Sequence, residues 1–153
     1  MASRSNAGAV SRGRALHRDL GPPVFAKARR LDPSKQLLAQ EEFVKLEQAG
    51  IVRRSDLPWA SPLHMVSKKD GSWQPCGDYR CLNLATTPDP YPLPNIGDLA
   101  SNFHGCKVFS KIDLVKGYHQ VPVHATDIPK MAIITPFGLF KYTKMPFGLR
   151  NSR

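Results

Sequence analysis

Apolar side chains first recur at near-helical spacing, with Leu37, Leu38, Phe43, Val44 and Leu46 following an Asp32-Pro33 start and preceding Gly50. A capping aspartate, a proline in the first turn and a glycine after the last predict a helix over 33–49. Ile51 and Val52 read as a short extended piece, and Ser55 to Pro62, with Pro58 and Pro62, as a loop. Leu63 to Lys68 and Trp73 to Tyr79 are predicted as two strands turning at Asp70-Gly71, the second an edge or irregular one because it holds Pro75 and Gly77. Pro88, Pro90, Pro92 and Pro94 make 86–94 an extended connector. Asn95 to Phe103 then reads as a short helix closed by Gly105. The stretch 106–112 reads as a strand, with Val108, Ser110 and Ile112 on one face and Phe109, Lys111 and Asp113 on the other. Leu114 to Gln120 is expected to be helical, and Met131 to Thr135 with Leu139 to Lys144 a second hairpin around Pro136-Phe137-Gly138. The pattern is that of an α+β domain without internal repeats.

Composition narrows the class. The chain has 153 residues, 41% of them hydrophobic, which is one domain's worth of chain with enough apolar side chains for a core. The longest apolar stretch, Met131 to Phe140, is interrupted by Thr135, Pro136 and Gly138, far short of the roughly 20 residues a bilayer requires. The formal net charge is +10, and residues 1–30 hold seven Lys and Arg against Asp19 alone. A basic tail over 1–21 attracts polyanions without sequence preference. Its first 18 residues are Ser- and Arg-rich, which also suits a transit peptide, but they lack the apolar core of a secretion signal. Three cysteines, Cys76, Cys81 and Cys106, do not make a secreted disulfide framework, so an intracellular, reducing setting is expected.

Candidate chemistry from residue types is sparse. Asp113 ends an apolar run, where a carboxylate could be held rigidly as a metal ligand, but it could equally cap the following helix. Two-ion phosphoryl chemistry needs several carboxylates, and Asp127 is the one acid after Asp113. Lys68, Lys69 and Arg80 flank the Asp70-Gly71 turn and could grip phosphates, with Trp59, His64, Trp73 and Tyr79 available to stack on bases. An ordinary solvated turn and core aromatics explain the same residues. Cys76, Cys81, His104 and Cys106 form a loose formal zinc set on different predicted elements. No Gly-rich phosphate loop, Gly-x-Ser-x-Gly elbow or His-Glu-x-x-His is present.

Ordered blocks across the chain carry a resemblance. They include Pro58-Trp59-Ala60-Ser61-Pro62, Val66-Ser67-Lys68-Lys69-Asp70-Gly71-Ser72-Trp73, Asp78-Tyr79-Arg80, Leu82-Asn83 and Tyr91-Pro92-Leu93-Pro94. Further along stand Phe109-Ser110-Lys111-Ile112-Asp113-Leu114, Gly117-Tyr118-His119-Gln120 and Met145-Pro146-Phe147-Gly148-Leu149-Arg150-Asn151. From about residue 22 onward the chain resembles the reverse transcriptase of gypsy-type long-terminal-repeat retrotransposons. The resemblance implies part of a right-hand polymerase, with fingers over 22–85, the Pro-rich connector at 86–94 and the start of the palm over 95–153. It implies an RNA-directed DNA polymerase acting on a template-primer of RNA or DNA and on deoxynucleoside triphosphates. Asp113, with the backbone of Leu114, would hold two magnesium ions. Val115, Lys116 and Gly117 would pass the triphosphate, and Tyr118 would exclude a ribose 2′-hydroxyl. Lys68 and the Gln74 position would face the phosphates, with Phe147 and Gly148 beside the nucleotide. His64, Lys69, Asp78 and Arg80 would meet the nucleic acid.

The same resemblance implies what is missing. The family's Tyr/Phe-x-Asp-Asp pair is expected beyond Arg153, together with the rest of the palm, the thumb and any RNase H domain, so these residues alone are expected to be inactive. Gln74 and Cys81 stand where the family usually has Arg, Met131 where it has Thr and Lys141 where it has Glu. Gln74 cannot supply the charge or fork geometry of an arginine. Each change is reachable by one transition mutation, as in a decaying element copy. The alternatives are a non-catalytic basic nucleic-acid-binding remnant and a small metal-dependent nuclease or transferase. Apolar surface is expected to be left uncovered on the 106–112 strand and the 131–144 hairpin.

Overall fold

The structure is a computed structural model that describes residues 21–90, 92, 95–101 and 103–151. The basic tail lies outside the described residues except for Gly21, as does part of the connector. The architecture is α+β, built on a five-stranded sheet in the order β1-β5-β4-β2-β3. Helix α1 spans Pro33–Gln48, one residue short of the predicted 33–49. It buries Ala39, Phe43 and Leu46, a narrow stripe at helical spacing. Asp32 stands at the N-cap in an extended conformation, and its carboxylate pairs with Lys35 at 3.3 Å instead of capping the backbone. The C-terminus closes on Gly50 at φ +69, with Gly50 N–H donating to Glu47 O and Ile51 N–H to Leu46 O. These two bonds form a Schellman end, which needs a residue free to adopt positive φ.

Strands β1 (Val52–Arg54), β2 (Ser61–Ser67) and β3 (Trp73–Gly77) follow. The predicted 55–62 loop therefore ends sooner than expected, because Ser61 and Pro62 pair in parallel with Ile133 and Ile134 of β4. Proline is tolerated there because it sits at the strand's start. Pro75 falls on β3, the edge strand, as its missing donor requires. Helix α2 (Arg80–Ala85) was not foreseen from the pattern, and α3 (Ile96–Ser101) is shorter than the predicted 95–103. The second hairpin forms as β4 (Ala132–Thr135) and β5 (Gly138–Tyr142). It is central in the sheet, between β1 and β2, so the expectation that it leaves an uncovered edge is overturned. Upstream of α1 the chain adds a short parallel bridge, with Ala26 N–H donating to Ala60 O and Ala60 N–H to Val24 O.

The predicted strand at 106–112 does not form, and its supposed two faces are both exposed. Val108, Ile112 and Val115 are 87%, 88% and 89% exposed. β-branched residues make a strand only when a neighbouring ladder receives their backbone groups, and the described residues offer this segment none. The expected helix over 114–120 is reduced to a 3-10 turn, Gly117–Gln120. The core lies between α1 and the sheet, where Phe43 meets Phe140 at 4.8 Å and Phe137 at 5.7 Å between ring centres. Full burial of one such ring contributes about 1.5–3 kcal/mol.

Candidate functional site

A shallow, solvent-open cleft lies between α1, β3, the 116–119 turn and the loop at Pro146-Phe147. Gln74 and Cys76 reach it from β3. Strand pairing sets His64 opposite Cys76 and Val66 opposite Gln74, so these four share one face of the β2–β3 hairpin. Burial pushes the Cys76 thiol up, against the nearby positive charges of Lys68 and Lys116. The hairpin turn is fastened by Asp70, whose Oδ1 accepts from Ser72 N–H at 2.9 Å and Ser72 Oγ–H at 2.6 Å. Those bonds hold the Asp70 carboxyl below its ordinary value and leave Lys68 and Lys69 at a defined tip.

On the far side of the cleft, Lys116 adopts the left-handed conformation at φ 47, the one non-glycine among the described residues to do so. Such a conformation is costly and needs support. Support comes from Lys116 Nζ, 2.5 Å from Glu42 Oε1 on α1. Lys116 O also accepts from His119 N–H at 2.9 Å, which opens the 3-10 turn. The Lys116 contact holds the Glu42 carboxyl below its usual range. Tyr118 is set edge-on to His119 at 4.5 Å and tilted to Phe147 at 6.1 Å. The half-buried His119 ring is pushed down, first by burial and then by the Lys116 charge.

Phe147 and Gly148 are held from α2. Asn83 Nδ2 donates to Gly148 O at 2.8 Å, and Asn83 Oδ1 accepts from Arg150 N–H at 2.9 Å. One amide thus binds both sides of a turn in which Gly148 has φ +96. Arg150 and Asn151 extend the attachment to the carbonyls of Thr86 and Thr87.

Of the residues singled out from sequence, the cleft unites Gln74, Lys116, Tyr118 and Phe147. Lys68 lies close enough for its charge to act on Glu42 and Cys76. Gly117 underlies the turn, where a Cβ would come 3.1 Å from the Leu114 side chain. Asp113, Leu114 and Val115 are exposed and do not line the cleft. His64, Lys69 and Arg80 are exposed along the hairpin and the start of α2. Asp78 is turned inward: its side chain is 10% exposed and bonds Arg29 Nη2 and Arg80 Nη2, both at 2.6 Å. The Arg80 and Arg29 contacts hold its carboxyl far below the ordinary value. Tyr79 is fully buried in the core, so it is removed from the candidates for base stacking, whereas Trp73 stays exposed with Lys35 Nζ 4.2 Å over its ring. Among the described residues no group of three or more His, Cys, Asp or Glu side chains could hold a metal. That removes the zinc set, and Asp113 by itself does not fit a two-ion centre, whose ions need several oxygen ligands. Sequence reasoning missed Glu42 and His119 and weighed Cys76 only as a zinc ligand; His119 had a signal, its place in Gly117-Tyr118-His119-Gln120.

The fold is that of a reverse-transcriptase-like polymerase. The native crystal structure of prototype foamy virus protease-reverse transcriptase superposes with a TM-score of 0.70 at 20% identity, over 92% of this chain and 19% of that one. The foamy viral enzyme in complex with RNA/DNA hybrid gives 0.73 at 18% identity, over 92% and 19%. Residues 66–153 match the reverse transcriptase (RNA-dependent DNA polymerase) family, and the chain belongs to it. It is 36% identical over 135 residues to the retrovirus-related Pol polyprotein from transposon 297 of Drosophila melanogaster. It is also 36% identical over 122 residues to the Tf2-3 transposon polyprotein of Schizosaccharomyces pombe. These alignments take in 85% and 80% of this chain but 13% and 9% of the relatives' length. No described helix is long and apolar enough to cross a membrane.

Proposed function

We propose that these residues are the fingers (22–85) and the start of the palm (95–153) of a gypsy-type retrotransposon reverse transcriptase, joined by the 86–94 connector, and that the cleft receives the incoming deoxynucleoside triphosphate. The observation that carries the reading is the meeting in one cleft of Gln74, Lys116, Tyr118 and Phe147, drawn from segments far apart in sequence. In this reading the Tyr118 ring, backed by Phe147 and His119, walls the sugar and selects against a 2′-hydroxyl. Lys68 approaches the phosphates from the hairpin, while His64, Lys69 and Arg80 meet the template strand. Asp78 acts through Arg80 and Arg29, which it aligns. Asp113 is the first of the metal-binding carboxylates, and magnesium requires others beside it. The 153 residues by themselves bind and do not turn over.

Calorimetric titration with dTTP tests the reading. Saturable binding that weakens in Tyr118→Ala and Phe147→Ala is expected, with UTP bound less tightly than dTTP. Tyr118→Val should narrow that difference. Indifference of binding to both aromatic residues would overturn the assignment.

The second reading, a nucleic-acid-binding remnant, is favoured by the +10 net charge and by the absence, among the described residues, of a group of three or more His, Cys, Asp or Glu side chains that could hold a metal. It expects an RNA/DNA hybrid to bind with affinity falling steeply as salt rises, unchanged by Asp113→Asn, and no saturable dTTP site.

A further inference from the structure

Among the described residues that line the cleft, Glu42 is the one Asp or Glu and Lys116 the one Lys or Arg, and they are paired to each other. The cleft's lysine is therefore already engaged by an internal carboxylate. We propose that the Lys116 side chain is the cleft's phosphate-binding cation and that Glu42 is its internal competitor, displaced when a phosphate chain enters. The inference rests on the reading of the cleft as a nucleotide site and adds to it the identity of the group that sets phosphate affinity.

Four observations support it. Gln74 lines the same cleft, and an amide cannot provide the charge a triphosphate requires, so among the described lining residues Lys116 is the cation left to supply it, beside Lys68 approaching from the hairpin. The ion pair is half open, with side-chain exposures of 38% for Lys116 and 26% for Glu42, so a polyanion can reach the ammonium without first crossing packed side chains. Glu42 also feels the charges of Lys45 and Lys68, so its release does not strand it without a countercharge. Finally, the left-handed backbone of Lys116 directs the residue across the cleft at the start of the turn that positions Tyr118, so phosphate capture and sugar contact are one structural event.

The test uses the 153-residue chain and inorganic tripolyphosphate, with dTTP in parallel. Glu42→Gln is expected to tighten tripolyphosphate binding roughly tenfold and Lys116→Gln to weaken it by a similar factor, the scale of one charge-assisted contact. The double variant should behave like Lys116→Gln. A merely structural pair would give losses in both single variants, so opposite signs are diagnostic. Because Glu42→Gln could loosen α1, the Lys116 ammonium NMR signal of the unmodified chain is followed as well; it should move as tripolyphosphate is added. Binding by Glu42→Gln no tighter than by the unmodified chain, or an ammonium signal that stays fixed while dTTP saturates, overturns the proposal. If dTTP binds and depends on Tyr118 but not on Lys116 or Glu42, the nucleotide site stands and this inference falls. If neither dTTP nor tripolyphosphate binds any form, both fall.

Discussion

Arg53 and Lys141 stand directly opposite each other across the β1–β5 ladder. Like charges at facing positions of an antiparallel pair are destabilising. The resemblance places a glutamate at position 141, where it would complete a cross-strand ion pair with Arg53. Lys141→Glu is therefore expected to stabilise the chain by about 1 kcal/mol, read as a rise in the urea midpoint at low salt. The gain should shrink as ionic strength increases.

Asp78 ties the segment just upstream of α1 to the start of α2 through Arg29 and Arg80. Its carboxyl is held far below the ordinary 3.8 in the folded chain, so its contribution is complete above about pH 5 and is lost as pH falls below 4. The unfolded chain takes up the proton first, which is what draws the equilibrium toward it. Asp78→Asn should lower stability at pH 7 and flatten the acid limb of a stability profile. An unchanged limb would remove Asp78 from this role.

Gly77 is required by close approach. A Cβ there would come 2.7 Å from both Ile133 Cδ1 and Tyr79 Cε2, two fully buried side chains that cannot yield. Gly77→Ala is expected to cost about 1–3 kcal/mol, measured by thermal melting.

Gln74→Arg would return a planar, permanently charged fork to the cleft. An increase of about tenfold or more in dTTP affinity is expected, with a steeper dependence on salt.

Residues 103–115 hold a run of exposed apolar side chains, among them Phe103, Val108, Phe109 and Ile112. Phe103 and Phe109 cover each other only edge-on, at 5.8 Å. Val108→Lys with Ile112→Lys should reduce dye-accessible apolar surface and self-association while leaving the melting temperature within a degree or so, since neither belongs to the core.

Local signals sufficed where structure is local. Asp32-Pro33 and Gly50 placed α1 to within a residue, and Asp70-Gly71 located the β2–β3 turn. α2 escaped notice because it is six residues long, starts without a side-chain cap and is anchored by the single buried Leu82. The 106–112 segment was misread because β-branched residues advertise a strand whether or not a ladder is there to receive them. In the site, Lys116, Tyr118 and Phe147 were legible through motif resemblance, whereas Glu42 was not. It meets Lys116 across 74 residues of chain, and a contact of that span leaves no periodic trace in either segment.

The strand order carries a kinetic cost. Because β5 lies between β1 and β4, the sheet cannot close around Val52 until Tyr142 is available to pair with it. During synthesis α1 and β1 must wait, with Phe43 uncovered, for about ninety further residues, which at roughly 5–20 residues per second is several seconds of exposure on the ribosome. The β2–β3 hairpin, closed by a tight turn, can form much sooner. This chain is therefore assembled from its edge inward, and its yield in cells should respond more to translation speed and chaperone supply than its final stability alone would suggest.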